Sequence, residues 1–153
     1  MTVAIAPTPW DAPEVAALRD AQQAELTALF GWDAEPGAKP TGADVTVLLL
    51  ARAGDGTAVG CGALRALDDP PGAVELKRMY VVPGHRRRGV ARALLAALEA
   101  EARRRGFVRA RLETGDRMPV AAAFYAAHRY ARIACFGAYA ASPTSHCYER
   151  RLD

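Results

Sequence analysis

The sequence predicts an α+β fold in which a mixed, mostly antiparallel central sheet is flanked by helices. Segments of strand and helix character follow the order strand, helix, three strands, helix, strand, helix and two strands. The three consecutive strands are joined by turn-rich connections of hairpin length, which favour antiparallel pairing. Helices before and after them predict one sheet between helices. The length of 153 residues fits a single domain over residues 1–153.

A short strand at residues 3–5 opens the chain, and a helix follows that runs towards Phe30. We predict Asp11 as the N-cap of this helix, with Glu14 three residues later completing a capping box. Gly31 is the expected helix end, because glycine adopts the left-handed conformation that often follows a last helical turn.

The remaining elements follow from periodicity and from the turns between them. Apolar residues recur on one face of residues 89–105 and Gly106 follows, so this segment is the clearest helix. The other predicted segments are strands at 45–52, 57–67, 73–82 and 108–113, a helix at about 119–128, and strands near 130–135 and 145–151.

Composition and charge exclude several classes of protein. A hydrophobic fraction of 51% and a charged fraction of 24% exclude a mainly disordered chain. Three cysteines without CxxC spacing predict neither a disulfide framework nor a zinc site, and they indicate a reducing, cytoplasmic location. The longest apolar run falls far short of the ~20 residues that span a bilayer, so no membrane association is expected.

Charge is distributed unevenly along the chain. Residues 1–72 carry four basic and ten acidic side chains, net −6, whereas residues 73–153 carry sixteen basic and seven acidic ones, net +9. The second half therefore favours an anionic partner. His85, His128 and His146 are too scattered for a metal triad, and we predict no metal.

Three consecutive arginines, Arg86 to Arg88, lie where a strand gives way to the start of a helix. Cations are unfavourable there, because the helix dipole already places about +0.5 charge at the N-terminus. A bound polyanion reverses the sign of this interaction. Gly89 permits close approach of a phosphate, and the free backbone N–H groups are its donors, so the segment is typical of a pyrophosphate site. The alternative is a solvated basic surface.

In this context the chain resembles the GNAT superfamily of N-acetyltransferases. The superfamily signature is Gln or Arg, two variable residues, Gly, one variable residue, and Gly or Ala; Arg86, Gly89 and Ala91 fill it. The similarity extends to residues 75–82, which look like the family's fourth strand, and to residues 123–130, which look like its Phe-Tyr-x-x-x-Gly-Phe segment.

The resemblance implies a GNAT-like acyl-CoA N-acyltransferase fold with acetyl-CoA as cosubstrate. It also implies a small-molecule or peptide amine as acceptor, direct attack of the amine on the thioester in a ternary complex, and a homodimer as a common assembly. Backbone amides of the arginine segment would bind the pyrophosphate, and a strand edge would pair with the pantetheine arm. The implied cofactor-binding residues are Met79, Tyr80, Val81, Arg86, Arg87, Arg88, Gly89, Val90 and Ala91.

Acyl transfer to an amine requires a base for the ammonium proton and an acid for the departing thiolate. The resemblance makes Glu75 the candidate base and Tyr125 the candidate acid, and Glu113 is a second possible base. Partial burial of Glu75 in an apolar strand would raise its pKa. The alternatives are that Glu75 is an ion-pair partner of Lys77 or Arg78 and that Tyr125 is a core aromatic.

The sequence departs from the family pattern at two places. Met118 stands where many members have an amide side chain, and Arg129 replaces a glycine, which predicts a different helix end or local strain. Phe136, Tyr139 and Ser145 lie in a loop that we expect to border the acceptor pocket. Acidic side chains in the first half would favour a cationic amine.

Two further function classes remain open. A catalytically silent acyl-CoA sensor is compatible with the departures from the pattern. A basic nucleic-acid-binding module would use the cationic second half. No aromatic residues interleave the arginine clusters and the acidic half opposes a long polyanion, so we expect no nucleic-acid partner.

Overall fold

The computed structural model describes residues 2–153, in which seven strands form one sheet with three α-helices. The strand order is β1-β2-β3-β4-β5-β7-β6; β4 and β5 pair in parallel and the other neighbours antiparallel. The predicted fold class is confirmed. The strands are β1 (Ala4–Pro7), β2 (Val47–Arg52), β3 (Ala58–Ala66), β4 (Ala73–Val81), β5 (Arg109–Gly115), β6 (Ala131–Ile133) and β7 (Ser145–Arg151). The helices are α1 (Pro13–Phe30), α2 (Val90–Arg104) and α3 (Pro119–Ala127).

The sheet carries a hydrophobic cluster on each face. The larger cluster packs α2 and α3 against the sheet, with Leu94, Leu95 and Leu98 of α2 almost completely buried. The smaller cluster packs Val15 and Leu18 of α1 against the opposite face. No helix in residues 2–153 is both long and apolar enough to cross a bilayer.

The predicted capping box at the start of α1 is wrong. The N-cap is Ala12, one residue later than predicted, and no side chain caps the helix. The Glu14 carboxylate instead accepts hydrogen bonds of 2.6 and 2.7 Å from the Arg52 guanidinium on β2. Glu14 thus forms a charge-assisted ion pair with a residue distant in the sequence instead of the predicted hydrogen bond to the start of its own helix. The predicted C-terminal end is confirmed, since Gly31 is left-handed and its N–H bonds the Thr27 carbonyl.

The end of α3 explains how the chain manages without the family's glycine. Arg129 adopts a left-handed conformation with φ +73°, and its N–H bonds the Ala126 carbonyl. The next N–H, that of Tyr130, bonds the Tyr125 carbonyl at 3.0 Å. This is the pattern of a Schellman motif, in which a non-glycine residue accepts backbone strain. Of the two predicted alternatives, the structure shows local strain at Arg129, and the helix keeps an ordinary Schellman end.

A bulge in β4 opens the sheet. The register between β3 and β4 shifts so that Arg78 and Met79 oppose Gly62, and Arg78 has a φ of +57°. A Cβ at Gly62 would lie 2.6 Å from the Met79 sulfur, so a larger residue there would require the Met79 side chain to move. The parallel pairing with β5 ends at Glu75, while β4 continues to Val81. The two strands therefore separate at their carboxyl ends.

Candidate active site

A cavity of about 150 Å³ lies in the gap between β4 and β5. The end of α1 and the loop after it line one part of the cavity, and α3 lines another. Besides Lys77 and Arg78, the structure brings five residues singled out in the sequence analysis to this one space. They are the predicted base Glu75, the predicted acid Tyr125, the predicted pantetheine contact Met79, the second carboxylate Glu113, and Met118.

Tyr125 enters the cavity from the main hydrophobic core. Its side chain is 8% exposed, and its ring packs edge-on against Phe124 and Tyr130 with centroid distances of 5.2 and 5.6 Å. Burial raises the pKa of the Tyr125 hydroxyl well above its usual value. The phenol therefore stays protonated near neutral pH and can donate its proton.

Glu75 is almost completely buried, and its carboxylate is held from two sides. Oε1 accepts hydrogen bonds from the Arg65 guanidinium on β3 at 2.7 and 3.2 Å. Oε2 accepts one from the Tyr139 hydroxyl at 2.6 Å. Lys77 Nζ donates to Tyr139 at 2.8 Å and lies 3.8 Å from Glu75. Charge-assisted bonds of this kind hold the Glu75 side chain in a fixed position.

Glu113 is less tightly bonded than Glu75. Its carboxylate accepts a hydrogen bond of 2.5 Å from the Ser145 hydroxyl. Burial raises the pKa of Glu113 above its usual value, and the Ser145 bond opposes this only in part. Phe136, Tyr139 and Ser145 do not line the cavity as predicted. Tyr139 and Ser145, the first residue of β7, instead bond the two carboxylates, and Phe136 packs edge-on against Tyr139 at 5.3 Å.

The sequence analysis missed several polar side chains of the cavity. Within residues 2–153, four buried polar atoms of its lining make no hydrogen bond: Gln22 Oε1, Glu35 Oε1, Arg78 Nε and Thr114 Oγ1. Glu35 belongs to the acidic first half, but no motif distinguishes it. Arg78 was considered only as an ion-pair partner of Glu75, but its ion-pair contact is with Glu35. Gln22 and Thr114 become recognisable only once the gap between β4 and β5 is known.

The start of α2 has the geometry expected of an anion site. Gly89, the N-cap, is left-handed with φ +82°, and Arg87 is left-handed with φ +62°. Within residues 2–153, the backbone N–H groups of 87–92 have no backbone acceptor; Ala93 N–H is the first to have one, the Gly89 carbonyl. The side chains of Arg87 and Arg88 are exposed beside these donors.

Arg86 points away from its neighbours in the triplet. Its Nε donates to the Val81 carbonyl and its Nη2 to Glu25 on α1, each at 2.8 Å. Its guanidinium also stacks 5.5 Å above the Tyr80 ring. The Arg86 side chain therefore ties the arginine segment to β4 and α1. At the strand edge predicted to contact pantetheine, the Met79 carbonyl accepts a bond of 2.9 Å from Gln22.

A metal centre has no support in the part of the chain that the structure describes. Among residues 2–153, no three His, Cys, Asp or Glu side chains come together in a way that could hold a metal ion.

Comparison with known proteins adds independent information. Residues 9–129 match the family model described as the acetyltransferase (GNAT) family. The chain is 39% identical over 115 residues to the IAA acetyltransferase of Azospirillum brasilense, covering 75% of this chain and 71% of that protein. A solved structure from Klebsiella pneumoniae, assigned to the acyl-CoA N-acyltransferases, is 33% identical over 99% of both chains with a TM-score of 0.85. PaiA N-acetyltransferase from Thermoplasma acidophilum, solved with coenzyme A, shares the fold at 16% identity and a TM-score of 0.71, covering 99% of each chain.

Proposed function

The chain belongs to the acetyltransferase (GNAT) family, and on this premise we propose that it transfers the acetyl group of acetyl-CoA to a primary amine by direct attack. The observation that carries the proposal is the gap between β4 and β5. It gathers a protonated phenol, Tyr125, and two carboxylates, Glu75 and Glu113, around one cavity. A proton donor and proton acceptors are the groups that acyl transfer to an amine requires.

The residues at the start of α2 fit the pyrophosphate of acetyl-CoA. Free N–H groups of residues 87–91 and the positive end of the helix dipole attract an anion, and the exposed side chains of Arg87 and Arg88 add charge. Arg86 holds the segment in place through Glu25 and Val81. When bound, acetyl-CoA supplies the activated thioester.

The proton transfers of the proposed reaction require distinct roles from the cavity residues. The amine nitrogen bonds to the acetyl carbon as the carbon–sulfur bond breaks. A carboxylate takes the proton that the amine loses, and Tyr125 gives a proton to the departing sulfur. Glu75 remains the base that the resemblance implies. The bonding favours Glu113, because its carboxylate lacks an arginine partner and burial raises its pKa towards the range of a working base.

Changing each carboxylate to glutamine should separate these two candidates. With Glu113 as base, E113Q should lower kcat/KM at neutral pH on the order of 10²-fold. Because the pKa of Glu113 is raised, the wild-type rate should increase as pH rises through that pKa. This increase, the acidic limb of the pH profile, should be absent in E113Q. Steady-state rates from pH 4.5, the ordinary pKa of the carboxyl, to about pH 9 measure both effects.

The companion variant E75Q serves as the matched comparison. It removes the charge that Arg65 and Tyr139 hold, so we expect a lower melting temperature with the acidic limb of the pH profile retained. If E75Q abolishes that limb and E113Q keeps it, Glu75 is the base. Unchanged rates in both variants would contradict a carboxylate base.

The proposed function as a whole is tested by binding and turnover of acetyl-CoA. We expect calorimetric heat and thermal stabilisation over micromolar to millimolar acetyl-CoA, and release of CoA thiol when an acceptor amine is added. Absence of binding would refute the proposal. Binding without CoA release over a broad panel of amines would instead identify a silent acyl-CoA sensor.

Location and assembly remain predictions. All three cysteines are free, and Cys61 and Cys147 are buried, which supports the predicted reducing compartment and cytoplasmic location. A homodimer is implied by the family resemblance, and sedimentation of the purified chain tests it.

A further inference from the structure

Arg78 is a nearly buried cation in the cavity whose side chain makes no hydrogen bond to any of residues 2–153. Its side chain is 8% exposed and lines the cavity, and its Nε is fully buried without a partner within residues 2–153. Its ion-pair contact is with Glu35, whose Oε1 lies 3.8 Å from Arg78 Nη2. That distance is too long for a hydrogen bond.

The β4 bulge explains why the Arg78 side chain lacks a hydrogen-bond partner within residues 2–153. Two consecutive residues, Lys77 and Arg78, approach the same oxygen of Glu35, each at 3.8 Å. Lys77 also donates to Tyr139 at 2.8 Å, and Lys39 lies 3.8 Å from the same Glu35 oxygen. Glu35 is therefore shared among three cations. Of these, Arg78 has the weakest compensation of its charge by hydrogen bonds and ion pairs.

Burying a guanidinium without hydrogen bonds is costly, so its position in a cavity indicates a ligand that supplies them. Guanidinium presents donors in a planar fork that matches a carboxylate in two-point fashion. The lining also holds oxygens that make no hydrogen bond within residues 2–153: those of Gln22 and Thr114, and the Glu35 oxygen that the three cations share. Such acceptors complement the N–H groups of an ammonium. The cavity thus offers a donor group for a carboxylate beside acceptors for an amine.

We propose that the acetyl acceptor is an amino-carboxylate of amino-acid type, with its carboxylate bound by Arg78. This inference rests on the proposed acetyl transfer and names the acceptor class for the same cavity. The carboxylate pairs with the Arg78 guanidinium, and the amine lies towards the unpartnered oxygens. Leu26 and Phe30 of α1 add apolar surface to the lining for a side chain of the acceptor.

Turnover of matched acceptors tests this assignment. Purified protein with acetyl-CoA is assayed for CoA release against the twenty standard amino acids, their primary amides and the corresponding decarboxylated amines. We expect the best free amino acid to exceed its amide and its decarboxylated amine at least about tenfold in kcat/KM. Equal or faster acetylation of the amide or amine would overturn the inference.

The variant R78M should remove this discrimination, because methionine keeps a long unbranched side chain at the bulge without donors. For the best amino acid, kcat/KM should fall at least about tenfold, to the level of its amide, while the value for the amide stays within about twofold. R104M is the control, since Arg104 lies at the far end of α2 and pairs with Glu101. R78M that retains the preference for the free acid would overturn the inference.

A binding measurement keeps the test independent of turnover. Thermal shift with the N-acetylated amino acids, which carry the same carboxylate, should show stabilisation in the wild type and R104M and its loss in R78M. If no carboxylate-bearing compound binds, or R78M binds it equally well, the inference fails. Acetyl-CoA is titrated into the same samples. Binding of acetyl-CoA with failure of every carboxylate probe refutes the acceptor class alone, whereas absence of acetyl-CoA binding refutes the proposed function.

Discussion

Replacing Gly89 with glutamate is expected to weaken acetyl-CoA binding on the order of 10³-fold. Gly89 has a φ of +82°, and a residue with a Cβ loses about 1–2 kcal/mol in this left-handed conformation. The new carboxylate also lies at the N-terminus of α2, where its charge repels the pyrophosphate and competes for the free N–H groups. The backbone cost is present with and without ligand and lowers stability. The expected fold-change, about 4 kcal/mol of binding free energy, is therefore assigned to repulsion of the pyrophosphate and loss of its N–H donors. Isothermal titration with acetyl-CoA measures it.

G89N is the matched control for this prediction. Asparagine tolerates the left-handed conformation and carries no charge, so we expect binding within about tenfold of the wild type. A Cβ at position 89 meets no atom within 4 Å, so neither variant should prevent folding. Thermal unfolding without acetyl-CoA checks this point. If G89E binds acetyl-CoA as tightly as G89N does, the pyrophosphate is not bound at this helix start.

Elements whose signal is local could be predicted from the sequence. The apolar periodicity of α2 and the glycine after it define that helix without any knowledge of its neighbours. The arginine segment before it is likewise readable, because helix geometry alone places free N–H groups beside it. The structure confirms the helix and its left-handed N-cap, Gly89.

Contacts that depend on strand register could not be predicted. The capping box failed because Glu14 pairs with Arg52, which is 38 residues away in the chain. Arg65 reaches Glu75 because the β3–β4 register places them opposite each other. The register shift near Gly62 also places Arg78 in the cavity, and nothing in its neighbouring residues indicates a bulge.

Some groups of the site are predicted by a local motif and others depend on strand register, and this difference bears on acceptor specificity. The groups proposed to bind the cosubstrate lie at the start of α2, and a short sequence motif predicts them. The groups proposed to select the acceptor come from α1, the loop after it, β4 and β5, and they meet only where β4 and β5 separate. On this proposal, acceptor specificity depends on tertiary structure, which is why the sequence left the acceptor open.

Replacing Tyr125 with phenylalanine is expected to lower kcat about 10³-fold and to leave acetyl-CoA affinity nearly unchanged. The change removes one hydroxyl, which makes no hydrogen bond to another protein group in residues 2–153, and it keeps the ring that packs on Phe124 and Tyr130. In the proposed reaction the wild-type phenol, whose pKa burial raises, is protonated and would supply the proton for the departing sulfur. Without it the thiolate leaves unprotonated, and general acid catalysis is typically worth 10²–10⁴-fold.

Y130F distinguishes this role from a structural one. Tyr130 donates a hydrogen bond of 2.8 Å to Glu99 in the core, so its loss should lower the melting temperature and affect kcat little. Y125F should do the reverse, with kcat reduced and the melting temperature close to that of the wild type. Because the lost group is an acid, the deficit of Y125F should shrink for acyl thioesters with more acidic thiols, whose thiolates leave without protonation. A deficit that is the same for every thiol would show that Tyr125 positions the substrates and does not donate the proton.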